Sequence, residues 1–87
     1  MSENLEEIKE LNGQMEELFA SAIIIFNKLA FLREKQKLPQ ENQIDNLKSI
    51  LTRFFETYRL LGAKDNELKQ KADLLSEKYV QFNIEFE

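Results

Sequence analysis

The sequence predicts an all-α protein, an antiparallel three-helix bundle with helices at about 3–37, 40–61 and 65–86. Apolar side chains recur every three to four residues along nearly the whole chain, and only one proline and two glycines interrupt them. A stripe with this spacing runs along one side of a helix and must be covered by another helix. Because a chain of this length has room for one core, we expect residues 1–87 to form a single helical domain.

The first predicted helix, about 3–37, carries the longest uninterrupted stripe. Its members are Ile8, Leu11, Met15, Leu18, Ala22, Ile25, Leu29 and Leu32. The spacing passes through Gly13 without a change of phase, which favours one continuous helix. Arg33, Lys35 and Lys37 follow near the predicted end, where the helix macrodipole favours positive charge.

The boundary between the first two helices is predicted at 37–40, around Pro39, the only proline. The stripe breaks there, between Leu32 and Ile44. A helix rarely continues into the residue before proline, whereas proline suits the first turn of a helix. Glu41 and Asp45 then lie where the macrodipole favours negative charge.

A second boundary is predicted near Gly62, which can take the left-handed conformation that closes a helix, while Asp65 can cap the next one. The seven-residue phase nevertheless continues through Leu61 and Leu68, as it would in one helix from about 40 to 87. The sequence therefore leaves two architectures open. One is the three-helix bundle, and the other is a long helical hairpin that dimerises.

Composition argues against several classes of partner. The chain holds 12 basic and 16 acidic residues, a net charge of -4, so we expect no nucleic-acid partner. The most apolar run, 18–32, is shorter than the roughly 20 residues that a membrane-spanning helix needs, so we expect no membrane partner. The absence of cysteine and the acidic start favour a cytoplasmic or nuclear protein without a secretory signal.

The residue types also argue against catalysis. There is no histidine and no cysteine, which removes the commonest general base, the thiol nucleophile and the softer metal ligands. Neither glycine belongs to a phosphate-binding loop. We therefore expect no enzyme, no catalytic or metal-binding residue, no cofactor and no small-molecule substrate.

Apolar residues outside the stripe are the candidate functional feature. Between 18 and 32 the first helix is apolar around almost its whole circumference, which is normal for a helix buried on more than one side. On a second interpretation, Ile24 and Phe31, seven residues apart, stay uncovered and bind a partner helix. Aromatic anchors often dominate interfaces. The candidate partner-binding residues are Ile24, Phe31, Phe55, Tyr79, Phe82 and Phe86.

These observations lead to two functional hypotheses. The first is a non-enzymatic protein–protein interaction module, a structural or adaptor subunit of a helical assembly whose partner is another protein or a second copy of the chain. The alternative is a small acidic regulatory or inhibitory protein that binds and masks a target, steered by the acidic residues of segment 3–17.

Overall fold

The computed structural model of the protein describes residues 5–61 and 66–84, and these residues form three α-helices. Helix α1 spans Leu5–Glu34, α2 spans Glu41–Leu61 and α3 spans Asn66–Gln81. Every pair of helices is in contact, which confirms the predicted all-α three-helix bundle. The predicted break at Gly62 and Asp65 lies outside the described residues, but α2 and α3 pack against each other as two arms of a bundle.

Helices α1 and α3 run in the same direction, and α2 runs opposite to both. At one end of the bundle, Leu29 near the end of α1, Ile44 near the start of α2 and Phe82 just after α3 border the same cleft. Further along the bundle, the Lys71 ammonium lies 5.6 Å from the ring centroid of Phe19, so the early part of α3 lies beside the middle of α1. This arrangement is the predicted up-down-up order.

Helix α1 is longer than its two neighbours. Its 30 residues span about 45 Å at 1.5 Å per residue, against 21 residues in α2 and 16 in α3. No side chain from 6 to 14 is buried, and the buried part of α1 begins at Met15. Gly13 lies within this helix, so the prediction of one continuous helix through Gly13 is confirmed.

A left-handed residue closes α1 earlier than the sequence predicted. The helix ends at Glu34, and Gln36 has a φ of 58°. The Lys37 N–H donates to the Leu32 carbonyl at 2.8 Å, and the Gln36 N–H donates to the Arg33 carbonyl at 3.0 Å. This pair of hydrogen bonds is the Schellman motif, which satisfies the last free carbonyls of a helix. The predicted end at 37 was three residues too late.

Helix α3 ends in the same way. Asn83 also has a φ of 58°, the Ile84 N–H donates to the Tyr79 carbonyl at 2.9 Å, and the Asn83 N–H donates to the Val80 carbonyl at 3.0 Å. Ile84, only 7% exposed, supplies the apolar contact that often accompanies this motif. The predicted end at 86 was therefore too late, because the helix stops at Gln81.

Helix α2 begins where Pro39 indicated. The Gln40 backbone N–H donates to the side-chain Oε1 of Gln43 at 3.1 Å, which is one half of a capping box. The first helical residue, Glu41, places a negative charge at the positive end of the macrodipole. The connection between α1 and α2 is thus 35–40. It contains the predicted boundary at 37–40 but begins two residues earlier.

The core is a single apolar cluster to which all three helices contribute. Its buried members are Met15, Ala22, Phe26, Leu29, Leu47, Leu51, Phe54, Leu68, Ala72, Leu75 and Ile84. No polar or charged side chain is buried within the described part of the chain. The three-four spacing continues through the second half of the sequence and predicts every member except Phe26 and Ile84. Phe26 is buried because α1 packs against two helices, so a wider side of it is covered than one neighbouring helix would cover.

Truncating a core residue should destabilise the bundle far more than the same change on its surface. Leu51 is fully buried, whereas Leu60, on the opposite side of α2, is 78% exposed. We expect Leu51→Ala to lower the free energy of unfolding by about 2–5 kcal/mol, through lost burial and a residual cavity. Leu60→Ala should change it by less than about 0.5 kcal/mol. Urea unfolding followed by circular dichroism measures both, and equal losses would contradict the core described above.

Replacing the left-handed residue after α1 by glycine should stabilise the protein. A non-glycine residue in this conformation costs about 1–2 kcal/mol, and Asn tolerates it better than Gln. We expect Gln36→Gly to raise the free energy of unfolding by about 0.5–1 kcal/mol, and Asn83→Gly to raise it less. Thermal unfolding of both variants checks this order. A loss of stability in Gln36→Gly would show that the helix does not end at this turn.

Candidate functional site

The side of α1 that faces away from both other helices carries large apolar groups. Ala22 and Leu29 are buried, and Ile24 and Phe31 each follow two residues later, about 200° around the helix axis. Ile24 is 56% exposed and Phe31 is 57% exposed. Neither α2 nor α3 covers this side, so the second interpretation of these residues describes their position correctly.

We call this surface the outer stripe and define it as Ala20, Ile24, Asn27 and Phe31. The four residues follow a four-three-four spacing and are all exposed. They cover about 16 Å of helix, or three turns. The same spacing on the opposite side of α1 forms the core. The outer stripe is therefore a second, shorter packing face, with Asn27 as its polar interruption.

A cation and a shallow groove border Phe31. The Lys35 ammonium lies 5.5 Å from the ring centroid, within the range of a cation–π interaction. Lys28, Leu32 and Gln43 line a groove of about 310 Å³ with Phe31 and Asn27, between the outer stripe and the start of α2. The Phe31 ring is thus accessible from one side and has space for a further side chain beside it.

Charge is distributed unevenly along α1. Before residue 20 the acidic residues outnumber the basic ones, and after residue 27 this order reverses. We call the two parts the acidic half, with Glu6, Glu7, Glu10, Glu16 and Glu17 against Lys9, and the basic half, with Lys28 and Arg33 of α1 and Lys35 and Lys37 just after it against Glu34. Glu17 is exposed just before the outer stripe, and Lys35 is exposed just after it. The stripe therefore lies between two ends of opposite charge.

Phe55 and Tyr79, two of the other candidate residues, join α2 to α3. Their rings meet edge to face with centroids 6.1 Å apart, and both side chains are half-buried. The Phe55 ring also contacts Phe54 of the core at 5.2 Å. A partner-binding role for this pair stays a prediction, whereas their contribution to helix packing follows directly from these contacts.

Phe82 joins the end of α3 to α1. Its half-buried ring stacks on Phe26 at 5.8 Å, and the Arg33 guanidinium carbon lies 4.3 Å from its centroid. Arg33 also donates a hydrogen bond from Nη2 to the Gln81 carbonyl at 3.3 Å. Phe82 therefore has an internal packing role, and its predicted role in binding a partner stays a prediction. Phe86 lies outside the described residues.

Five exposed large apolar residues in the described part of the chain were not among the candidates, and three of them are more than half exposed. Leu38, Leu60 and Val80 are all largely exposed. Leu60 and Val80 do not occupy the regularly spaced apolar positions of α2 and α3. The sequence alone shows this difference and could have identified them as exposed. They belong to different elements, however, whereas Ile24 and Phe31 lie on one helix face.

A cleft of about 400 Å³ lies at the end of the bundle where the first connection runs. Leu29, Ile44 and Ile84 form apolar walls, and Arg33 and Lys37 border it. Both cations also lie near the ends of α1 and α3, where the carbonyl groups give the helices partial negative charge. Because Arg33 is already bound to Gln81 and stacked on Phe82, its charge is engaged within the bundle.

Two further properties concern the described residues alone. Within 5–61 and 66–84, no group of three or more acidic residues is placed to hold a metal ion. Among these same residues, no helix has the length and apolar character needed to cross a membrane.

Comparisons with known proteins do not add a functional assignment. No protein-family model, curated protein or solved structure matches this chain. The exposure and charge of α1 are therefore the features of this protein that bear on its function.

Proposed function

We propose that this chain is a non-enzymatic protein–protein interaction module, a structural or adaptor subunit that joins helical chains through the outer stripe of α1. The observation that carries the proposal is the exposure of Ile24 and Phe31. Every other large apolar side chain from 15 to 32 is buried or half-buried. Apolar groups that share one exposed helix face are typical of contact sites.

The outer stripe has the geometry that a partner helix needs. Helices that bind a groove or complete a bundle use anchors three, four or seven residues apart. Ala20 and Ile24 are four residues apart, and Ile24 and Phe31 are seven apart. Burying the exposed halves of Ile24 and Phe31 contributes about 1.5–3 kcal/mol in total. This amount corresponds to roughly ten- to hundredfold in affinity. The two side chains are therefore sufficient to favour one contact surface over others.

The acidic half of α1 supports a second candidate, the acidic regulator that masks a target. The side chains of Glu6, Glu7 and Glu10 are exposed on turns of α1 that contribute nothing to the buried core. Clustered exposed charge accelerates association with a surface of opposite charge and makes it sensitive to salt. This candidate differs from the first in the surface that it uses.

Acidic substitutions in the outer stripe should abolish partner capture. We expect Ile24→Asp and Phe31→Asp each to lower the amount of co-purifying protein at least about tenfold, because a carboxylate would have to be desolvated in the contact. Leu60→Asp introduces the same group at an exposed position on α2 and should have no effect. Affinity purification from source cells with quantitative mass spectrometry measures the capture, and circular dichroism verifies that helicity is retained.

The same measurement separates the two candidate functions. Equal capture by wild type, Phe31→Asp and Leu60→Asp would contradict binding through the outer stripe. A loss seen only when Glu6, Glu7 and Glu10 are changed to Gln, and only at low salt, would favour the acidic regulator.

A further inference from the structure

We infer that the partner of the outer stripe is a second copy of this chain, with the two α1 helices packed antiparallel about a two-fold axis. This inference depends on the proposed function, since it uses the same surface and identifies its occupant. A two-fold contact between identical chains requires a surface that is complementary to itself. The outer stripe meets this requirement, because it is largely apolar and is flanked by exposed Glu17 before it and exposed Lys35 after it.

The charges select the antiparallel orientation. In an antiparallel pair Glu16 and Glu17 of each chain lie near Lys35 of the other. In a parallel pair Glu16 and Glu17 would meet their own copies, and Lys35 would meet Lys35. The helix macrodipoles also favour the antiparallel arrangement. Individual exposed charge pairs contribute little, but together they distinguish one orientation from the other.

The outer stripe also defines a register. It runs from Ala20 to Phe31, so its centre, and with it the two-fold axis, falls between residues 25 and 26. Phe31 then lies opposite the small side chain of Ala20 in the second copy, and Ile24 lies opposite Asn27. A large ring facing a small residue allows the two helices to approach closely, as interdigitating side chains do in packed helix pairs.

Lys35 completes the contact at each end. In this register it lies opposite Glu16 and next to Glu17 of the second copy, where it offsets the negative charge of Glu34, which lies opposite Glu17. Its ammonium already lies over the Phe31 ring, at 5.5 Å, so the charge is held at the edge of the apolar contact. Because the stripe is only three turns long, we expect an interface smaller than the roughly 1,200 Å² of stable complexes and a dimer that dissociates readily.

Disulfide trapping tests both the partner and its orientation. The chain has no cysteine, so a disulfide between two chains can form only at the introduced cysteines. Glu17→Cys and Lys35→Cys, mixed under mild oxidation, should form a cross-linked dimer at least about tenfold faster than either variant alone at the same total concentration. Faster trapping of Lys35→Cys with itself than of the mixture would overturn the antiparallel arrangement.

Two control variants separate association from orientation. Asn27→Cys lies near the axis and should cross-link with itself, whereas Asp73→Cys, exposed on α3, should do so only at the background rate. Adding Phe31→Asp should reduce Asn27→Cys trapping to that background. Equal trapping of Asn27→Cys and Asp73→Cys would refute self-association. If Phe31→Asp nevertheless reduced protein capture, the partner would be another chain and the proposed function would stand. If capture were unchanged as well, the proposed function would fail with it.

Discussion

The packing of α1 against two neighbouring helices is the constraint on which the rest of the structure depends. Two helices can cover only one broad side of a third, so a helix that is apolar around most of its circumference keeps an uncovered side in a three-helix bundle. In α1 the covered side holds Met15, Ala22, Phe26 and Leu29, and the uncovered side holds the outer stripe. The core and the candidate interface are thus opposite sides of one helix, and the geometry that buries the first exposes the second.

Helices α1 and α3 are terminated by the same interactions. Both α1 and α3 close with a left-handed residue, Gln36 or Asn83, and two backbone hydrogen bonds that satisfy the last carbonyls. Basic residues at these ends offset the partial negative charge of the carbonyl groups. The charges that complement the macrodipole of α1 also give it a basic half, opposite the acidic half at its start. Local helix electrostatics therefore contribute to the charge asymmetry on which the proposed antiparallel pairing depends.

Particular residues show how far the sequence could predict the structure. The three-four spacing identified the core positions from Met15 to Leu75 because only an interior surface requires that period. The spacing did not identify Phe26 as a core residue, because a stripe of this kind describes only the side of a helix that one neighbouring helix covers. It also placed the ends of α1 and α3 too late, because Gln36 and Asn83 adopt a conformation usually signalled by glycine. The candidate partner-binding residues lie in two different environments. Ile24 and Phe31 are exposed, whereas Phe55, Tyr79 and Phe82 pack between helices, and periodicity alone does not distinguish these environments.

The sequence by itself determined that the chain is helical, where its first two helices meet and which face of each helix is apolar, since these properties depend on neighbouring residues and on a fixed helical period. Only the tertiary structure decided which apolar residues are covered. Coverage depends on how many helices pack around α1 and from which directions, and residues distant in the sequence set those contacts. Ile24 and Phe26 are both apolar and only two positions apart in one helix, yet one is exposed and the other buried because α2 and α3 lie on the side of Phe26.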